Sequence, residues 1–280
     1  MIRAGVIGHP IAHSLSPKLH NYWLKKYNIE GEYIAYDVAP EDLRSWIKSM
    51  PEKGFAGCNV TIPYKEEVFS LLGGNVDGIA LRLGAVNTVV VEGSRIIGLN
   101  TDAYGFTQNI APYIKRLEKK EKAVVLGAGG AANAVWESLI SLGFKEVALT
   151  NRTHEKFKDK EPLLKSIFAK NQGTTHQIYE WLDFDSMFKD ADLLVNTTSL
   201  GMAGKEPLDI SLDALPKTAL VTDIVYRPLM TPLLVAAKAR GNPVVDGLGM
   251  LLHQAAPGFK AWFGVMPEVT SELRQFILAS

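Results

Sequence analysis

Val124-Val125-Leu126-Gly127-Ala128-Gly129-Gly130-Ala131-Ala132 is an apolar run that enters a glycine-rich turn and leaves it through small, helix-forming residues. It reads as a β-strand, a phosphate-cradling turn and the start of a helix. A pyrophosphate needs backbone N–H groups aimed at it and no side chains in the way. Gly127 permits the tight turn, Gly129 lets the backbone approach, and Ala132 stands where a third glycine packs helix against strand. The helix N-terminus adds its partial positive charge. No Gly-Lys-Ser/Thr follows, which argues against a P-loop. The following strand, Glu146-Val147-Ala148-Leu149-Thr150, runs into Asn151-Arg152-Thr153. An NAD site carries an acid at that place for the ribose 2′-hydroxyl. An arginine can instead fork onto a 2′-phosphate, so the two signals together predict NADP. A solvated loop arginine is the plainer alternative.

Outward from this turn, short β-branched runs alternate with amphipathic stretches. Strands are expected at 2–7, 33–38, 55–61, 87–91, 95–98, 122–126, 145–150, 175–178, 192–197, 219–224 and 243–245. Helices are expected at 16–27, 40–49, 63–72, 103–118, 130–142, 154–169, 231–240, 249–262 and 268–278. Such alternation predicts an α/β fold with mainly parallel sheets. Glu92-Gly93 between two strands predicts a hairpin, hence one antiparallel edge. Two domains are expected: an N-terminal α/β substrate domain (1–104) and a Rossmann-type NADP-binding domain (105–246). C-terminal helices (247–280) would pack back on the first domain.

The 280 residues suit two cores, and 47% hydrophobic content gives ample burial. Thirty basic and thirty acidic residues cancel, so nothing favours nucleic acid or an anionic membrane. A lone cysteine, Cys58, allows no internal disulfide and suggests a reducing compartment. Met1 leads directly into a strand with no signal or transit pattern, and no apolar run reaches spanning length. A cytoplasmic protein with a small-molecule substrate, monomeric or homodimeric, is the expectation.

The N-terminal half carries polar residues that structure alone does not require. In His13-Ser14-Leu15-Ser16-Pro17, Ser16 reads as an N-cap before proline. Ser14 is not explained that way, and two hydroxyls beside a helix N-terminus suit a carboxylate. In Asn59-Val60-Thr61-Ile62-Pro63-Tyr64-Lys65, Val60 and Ile62 can face a core, with Asn59 and Thr61 on the other face. Pro63 then opens a helix with Lys65 in its first turn. A cation is unfavourable there, yet the place is the C-terminal end of a strand, where α/β sheets hold ligands. Asn87-Thr88 and Asn100-Thr101-Asp102 complete the set. Asp102 either caps the next helix or meets Lys65 as an ionic proton-transfer pair. His9, His13 and His20 suit packing or solvent; their spacing fits no zinc motif, and no metal is expected.

In order along the chain, Ser14-Leu15-Ser16-Pro17, Asn59 to Glu66, Gly84-Ala85-Val86-Asn87-Thr88, Asn100-Thr101-Asp102, Gly127 to Ala131, Asn151-Arg152-Thr153, Asp223 to Pro228 and Asp246 to Leu251 resemble the motifs of the shikimate dehydrogenase family. The resemblance covers essentially the whole chain. It implies NADPH-dependent reduction of 3-dehydroshikimate to shikimate, in the route to aromatic amino acids, with a substrate domain and a nucleotide domain. By motif match, Lys65 and Asp102 are the catalytic pair. Ser14 and Ser16 would hold the substrate carboxylate. Asn59, Thr61, Asn87, Asp102, Tyr226 and Gln254 would contact the ring hydroxyls or carboxylate. Gly127, Ala128, Gly129, Gly130, Ala131, Asn151, Arg152, Thr153 and Lys156 would bind NADP, with Ile224, Gly247 and Met250 near the nicotinamide. Lys156 stands where the family often has a second arginine, so the 2′-phosphate clamp is less forked. Two other readings compete: a quinate/shikimate dehydrogenase using NAD as well as NADP, and a binding or regulatory paralogue without turnover. Arg152 speaks against the first, and the presence of both Lys65 and Asp102 against the second.

Overall fold

The computed structural model describes residues 1–169 and 173–279. The chain divides into two compact units. One comprises residues 1–102 and the chain from Leu252 onward; the other is Ala103–Leu251. The division falls two residues before the expected 104, and on the C-terminal side five residues after the expected 246.

The first unit holds β1 (Ile2–Gly8), β2 (Gly31–Asp37), β3 (Phe55–Val60), β4 (Thr88–Glu92) and β5 (Arg95–Leu99) in the order β2-β1-β3-β4-β5. β1 runs parallel to β2 and β3, while β4 is antiparallel to β3 and β5. The antiparallel edge follows from the hairpin, where Glu92 pairs with Arg95 across Gly93-Ser94 and Gly93 takes a φ of 64°. The helices are α1 (Ser16–Lys26), α2 (Leu43–Ser49), α3 (Lys65–Leu72) and α4 (Gly78–Leu83). Ile7, Cys58, Val60, Tyr64, Val68 and Val89 form part of the core on one side of the sheet. Burial pushes the Cys58 thiol far above its usual range, so it is an inert packing group.

The second unit begins with α5, whose first residue Asp102 closes the first unit (Asp102–Ile114). It continues through β6 (Lys122–Leu126), α6 (Gly130–Ser141), β7 (Glu146–Thr150), α7 (Lys156–Ala169), β8 (Thr175–Ile178), α8 (Phe184–Phe188), β9 (Leu193–Asn196), β10 (Leu220–Asp223), α9 (Pro232–Arg240) and β11 (Val244–Val245). α10 (Leu248–Phe263) and α11 (Ser271–Leu278) end the chain. The sheet order is β11-β10-β9-β6-β7-β8, parallel throughout. The first three strands of this unit step one way and the last three step the other. That is the doubly wound Rossmann order, with its switch point between β6 and β9. Its inner strands β6, β9 and β10 are buried on both faces and therefore read as largely apolar runs rather than alternating ones, whereas the edge strand β8 is exposed.

Several local expectations need correction. Ser16 is not the N-cap of α1 but its first residue; Leu15 occupies the cap. The Ser14 side-chain oxygen instead accepts the Ser16 N–H at 3.3 Å. Ile62 does not face the core, being 76% exposed, because β3 ends at Val60 and the chain turns there. Tyr64 N–H closes that turn onto the Thr61 carbonyl at 3.0 Å, which delays α3 to Lys65. α5 stops at Ile114 rather than 118, where the chain becomes a run of charges with no apolar face to bury.

Candidate active site

Lys65 is the first residue of α3, and its main chain is fixed by the Val86 N–H, which donates to the Lys65 carbonyl at 2.9 Å. Its ammonium lies 2.6 Å from Asp102 Oδ2, with side-chain exposures of 20% and 7%. Thirty-seven positions separate the two in sequence. Asp102 does not cap α5 with its side chain. It is the first residue of α5; the Asn100 side chain accepts its N–H at 3.0 Å, and both Asp102 carboxylate oxygens turn to other partners. Oδ1 accepts from Asn87 Nδ2 at 2.9 Å.

Asn87 is the hub of this polar cluster, 2% exposed. Its amide nitrogen also faces Thr101 Oγ1 at 3.0 Å and Gln254 Oε1 at 3.2 Å. Its side-chain oxygen accepts from the Thr101 N–H at 2.8 Å and from the Thr88 hydroxyl at 3.0 Å. Its main-chain carbonyl accepts from Val60 N–H at 2.8 Å and from Asn59 Nδ2 at 3.2 Å. Asn59 Oδ1 accepts the Tyr33 hydroxyl at 2.5 Å. Burial pushes Tyr33 well above its usual pKa, with Cys58 adding to the rise and Ser16 and Asn59 opposing it, so the phenol stays a donor. Buried polar groups persist when their bonds are made, and this set makes them among its own members.

Of the expected catalytic and substrate residues, Lys65, Asp102, Asn87, Asn59 and Gln254 are thus joined directly. Ser14 and Ser16 sit together at the N-terminal end of α1, Ser16 buried and Ser14 half-buried. Half-buried Thr61 is held by its N–H on the Ile7 carbonyl at 3.0 Å. Tyr226 lies in the other unit, half-buried after β10, where burial raises its hydroxyl pKa and Arg227 opposes the rise. Sequence reasoning missed Thr101, Thr88, Asn100 and Tyr33 as supports of this cluster. The first three sit inside motifs that had been read for other members; nothing local marks Tyr33.

Below Tyr33 lies His20, fully buried. Its ring stacks on Tyr33 at 4.0 Å between centroids, 7° from parallel. Trp23, Phe259 and Trp262 surround it. Neither ring nitrogen has a hydrogen-bond partner among the described residues. Burial lowers its pKa from 6.5 to about 3, the nearby Asn59 side chain opposing the fall.

In the second unit, Gly127 follows β6 at the switch point with φ 113°, in the region that favours glycine. Its N–H donates to the Thr150 carbonyl at 2.8 Å. A Cβ there would come within 2.6 Å of Thr197 Oγ1, which is itself bonded to the Leu126 carbonyl at 2.7 Å. A Cβ on Gly129 or Gly130 would meet no protein atom within 4 Å. It would project instead into the space ahead of α6, a twelve-residue helix with Gly129 as its extended N-cap. The turn is therefore tight on its protein side and bare on its outer side, as a pyrophosphate requires. Ala128 and Ala132 pack in the interior.

At the end of β7, Asn151 Nδ2 donates to the Thr153 carbonyl at 2.9 Å, and exposed Arg152 and Lys156 flank it. Arg152 Nη1 lies 3.4 Å from Glu206 Oε2. The residues present fit a phosphorylated dinucleotide. Ile224 and Gly247 are neighbours, because a Cβ on Gly247 would run into the Ile224 carbonyl. Met250 is buried in α10. Among the described residues no helix is long and apolar enough to cross a membrane.

Three family models match the chain: a shikimate dehydrogenase substrate-binding domain at residues 6–89, a shikimate/quinate 5-dehydrogenase at 110–207, and a shikimate 5′-dehydrogenase C-terminal domain at 247–271. An NADP(+) shikimate dehydrogenase of Paramagnetospirillum magneticum is 48% identical over 278 residues, covering 99% of this chain and 98% of that one. The solved quinate dehydrogenase of Corynebacterium glutamicum, in complex with NAD, superposes with a TM-score of 0.91 at 29% identity, covering 100% and 99% of the two chains. The shikimate 5-dehydrogenase of Thermus thermophilus, in complex with NADP(H) and shikimate, does so with a TM-score of 0.85 at 35% identity, covering 100% and 99%.

Proposed function

The chain belongs to the shikimate dehydrogenase family, and from that premise we propose that it interconverts 3-dehydroshikimate and shikimate using NADP, with Lys65 and Asp102 as the reacting pair. The observation that carries the assignment of roles is the 2.6 Å contact between Lys65 and Asp102, anchored by Asn87.

NADPH, when bound, supplies the hydride that reduces the ketone carbon. As the carbonyl oxygen gains negative charge, the Lys65 ammonium donates a proton, or at least a strong hydrogen bond, to it. Asp102 keeps that ammonium in place and accepts from the neighbouring ring hydroxyl. In the oxidative direction Lys65 takes the hydroxyl proton. Ser14 and Ser16 hold the substrate carboxylate near the N-terminal end of α1, whose partial positive charge favours an anion. Asn59, Thr61, Asn87, Tyr226 and Gln254 complete the substrate set. Residues Gly127 to Ala131 take the pyrophosphate on backbone N–H groups. Asn151, Arg152, Thr153 and Lys156 take the adenosine end, and Ile224, Gly247 and Met250 the nicotinamide end. The protein works in the cytoplasm as a monomer or homodimer.

The test is NADPH formation from shikimate, with quinate and NAD run in parallel. Turnover of shikimate with NADP, lost in Lys65→Ala, is expected. No turnover of shikimate with either cofactor would reject the reading. The likeness to the NAD-bound quinate dehydrogenase favours a second reading, dual use of quinate and NAD. Comparable kcat/KM for both acids and both cofactors would select it.

A further inference from the structure

Arg152, the residue assigned to the 2′-phosphate, already has an anionic partner. Its guanidinium meets Glu206 at 3.4 Å, across 54 positions of sequence. Arg152 follows β7, whereas Glu206 lies in the loop after β9, so the two loops on either side of the β6 turn meet here. The Glu206 main chain is anchored. Its carbonyl accepts the Gly201 N–H at 2.7 Å, and the neighbouring Lys205 N–H donates to Met202 at 2.9 Å. Ala203 N–H ties the same loop to the Arg227 carbonyl at 2.8 Å. The carboxylate is therefore delivered to the arginine by a braced turn, while both side chains stay exposed, at 57% and 80%, and free to re-pair. Lys156, the other cation at this end, makes no ion pair among the described residues.

We infer that Glu206 sets cofactor specificity: it holds the Arg152 guanidinium that a 2′-phosphate needs, and so narrows the preference for NADP over NAD. The inference rests on the reading of Arg152 given above. A phosphate must displace the carboxylate to form its forked contact, and afterwards two anions share one loop crossing. A ribose with a free 2′-hydroxyl pays neither cost, and an acid is the group that accepts such a hydroxyl in NAD sites. Lys156 offers a point charge without a fork, so it does not replace the guanidinium.

The experiment is equilibrium titration of the full-length protein with 2′,5′-ADP and 5′-AMP, which differ only by the 2′-phosphate. Wild type, Glu206→Gln, Arg152→Ala and the double variant are compared at low salt. Breaking an exposed ion pair corresponds to about 1.5- to 5-fold. Glu206→Gln is therefore expected to tighten 2′,5′-ADP by about that factor and leave 5′-AMP unchanged or weaker. Arg152→Ala is expected to weaken 2′,5′-ADP by about 10- to 150-fold, and most of the Glu206→Gln gain should vanish in the double variant. An unchanged or lowered ratio of the two affinities in Glu206→Gln, with Arg152→Ala still weak, overturns the inference alone. If Arg152→Ala binds 2′,5′-ADP as wild type does, the reading of the 2′-phosphate site falls and the inference with it.

Discussion

Acidification should strain the first unit through His20. The ring is fully buried, and its pKa falls from 6.5 to about 3. The unfolded chain therefore binds a proton that the native state refuses. Its contribution to stability is complete above pH 6.5 and is lost as pH falls through the interval toward 3. Each pH unit in that interval costs about 1.4 kcal/mol, so the loss at pH 5 is about 2 kcal/mol. His20→Phe removes the proton but keeps an aromatic ring against Tyr33, and it leaves no orphaned nitrogen behind. Its stability relative to wild type should rise by about 2 kcal/mol between pH 7.5 and pH 5. Urea unfolding at each pH measures this, followed by circular dichroism and by tryptophan emission. Trp23 and Trp262 lie 5.7 and 5.5 Å from the His20 ring and report on its surroundings. Parallel stability–pH curves for the two proteins would refute the reasoning, as would an NMR titration of the His20 ring near pH 6.

Lys65→Ala should lower kcat by about 10²- to 10⁴-fold with a modest change in KM for shikimate, because a positioned acid–base group is lost; steady-state rates check this, and an intact kcat contradicts it. Ser14→Ala should mainly raise KM for shikimate, since a carboxylate contact is equal in ground and transition states; a loss confined to kcat speaks against the assignment. Asp223, buried at the end of β10, has its pKa raised from 3.8 to about 6 by burial, against the pull of Thr231, Val225 and Asn196. Here the native state binds the extra proton, so stability is highest below the unfolded pKa and declines as pH rises through about 6. Asp223→Asn should remove roughly 2 kcal/mol of that decline between pH 4 and pH 7, read from denaturant midpoints at the two pH values.

The strands were legible because their signals are local. β6, β7, β9 and β10 are apolar runs four or five residues long, and a parallel sheet covered on both faces demands nothing else of them. The glycine turn was legible for the same reason: a φ of 113° and a crowded Cβ position leave little choice but glycine at 127. What escaped were short elements and long-range bonds. α4 is six residues held by Asp77, whose carboxylate caps the Ala80 N–H at 2.6 Å, and a single turn and a half carries too little periodicity to see. Ser16 looked like a cap because serine before proline has that preference, but it became the first residue of the helix, behind Leu15. Lys65 and Asp102 were each visible as candidates, and their motif match named them as a pair. Only the fold showed Asn100 holding the Asp102 N–H while the Asp102 carboxylate meets the lysine. Glu206 carried no sequence signal at all, because its meaning depends on which loop it faces.

Asn87 has two amide hydrogens and three oxygens within reach of them, on Thr101, Asp102 and Gln254. The amide cannot turn over, since its own oxygen is already fixed by the Thr101 N–H. Around this one amide, the oxygens in reach outnumber the hydrogens it can give. A guest that brings its own hydrogen settles this imbalance; a guest of the same shape without one does not. Ring alcohols should therefore be told apart from their methyl ethers by hydrogen count as well as by size.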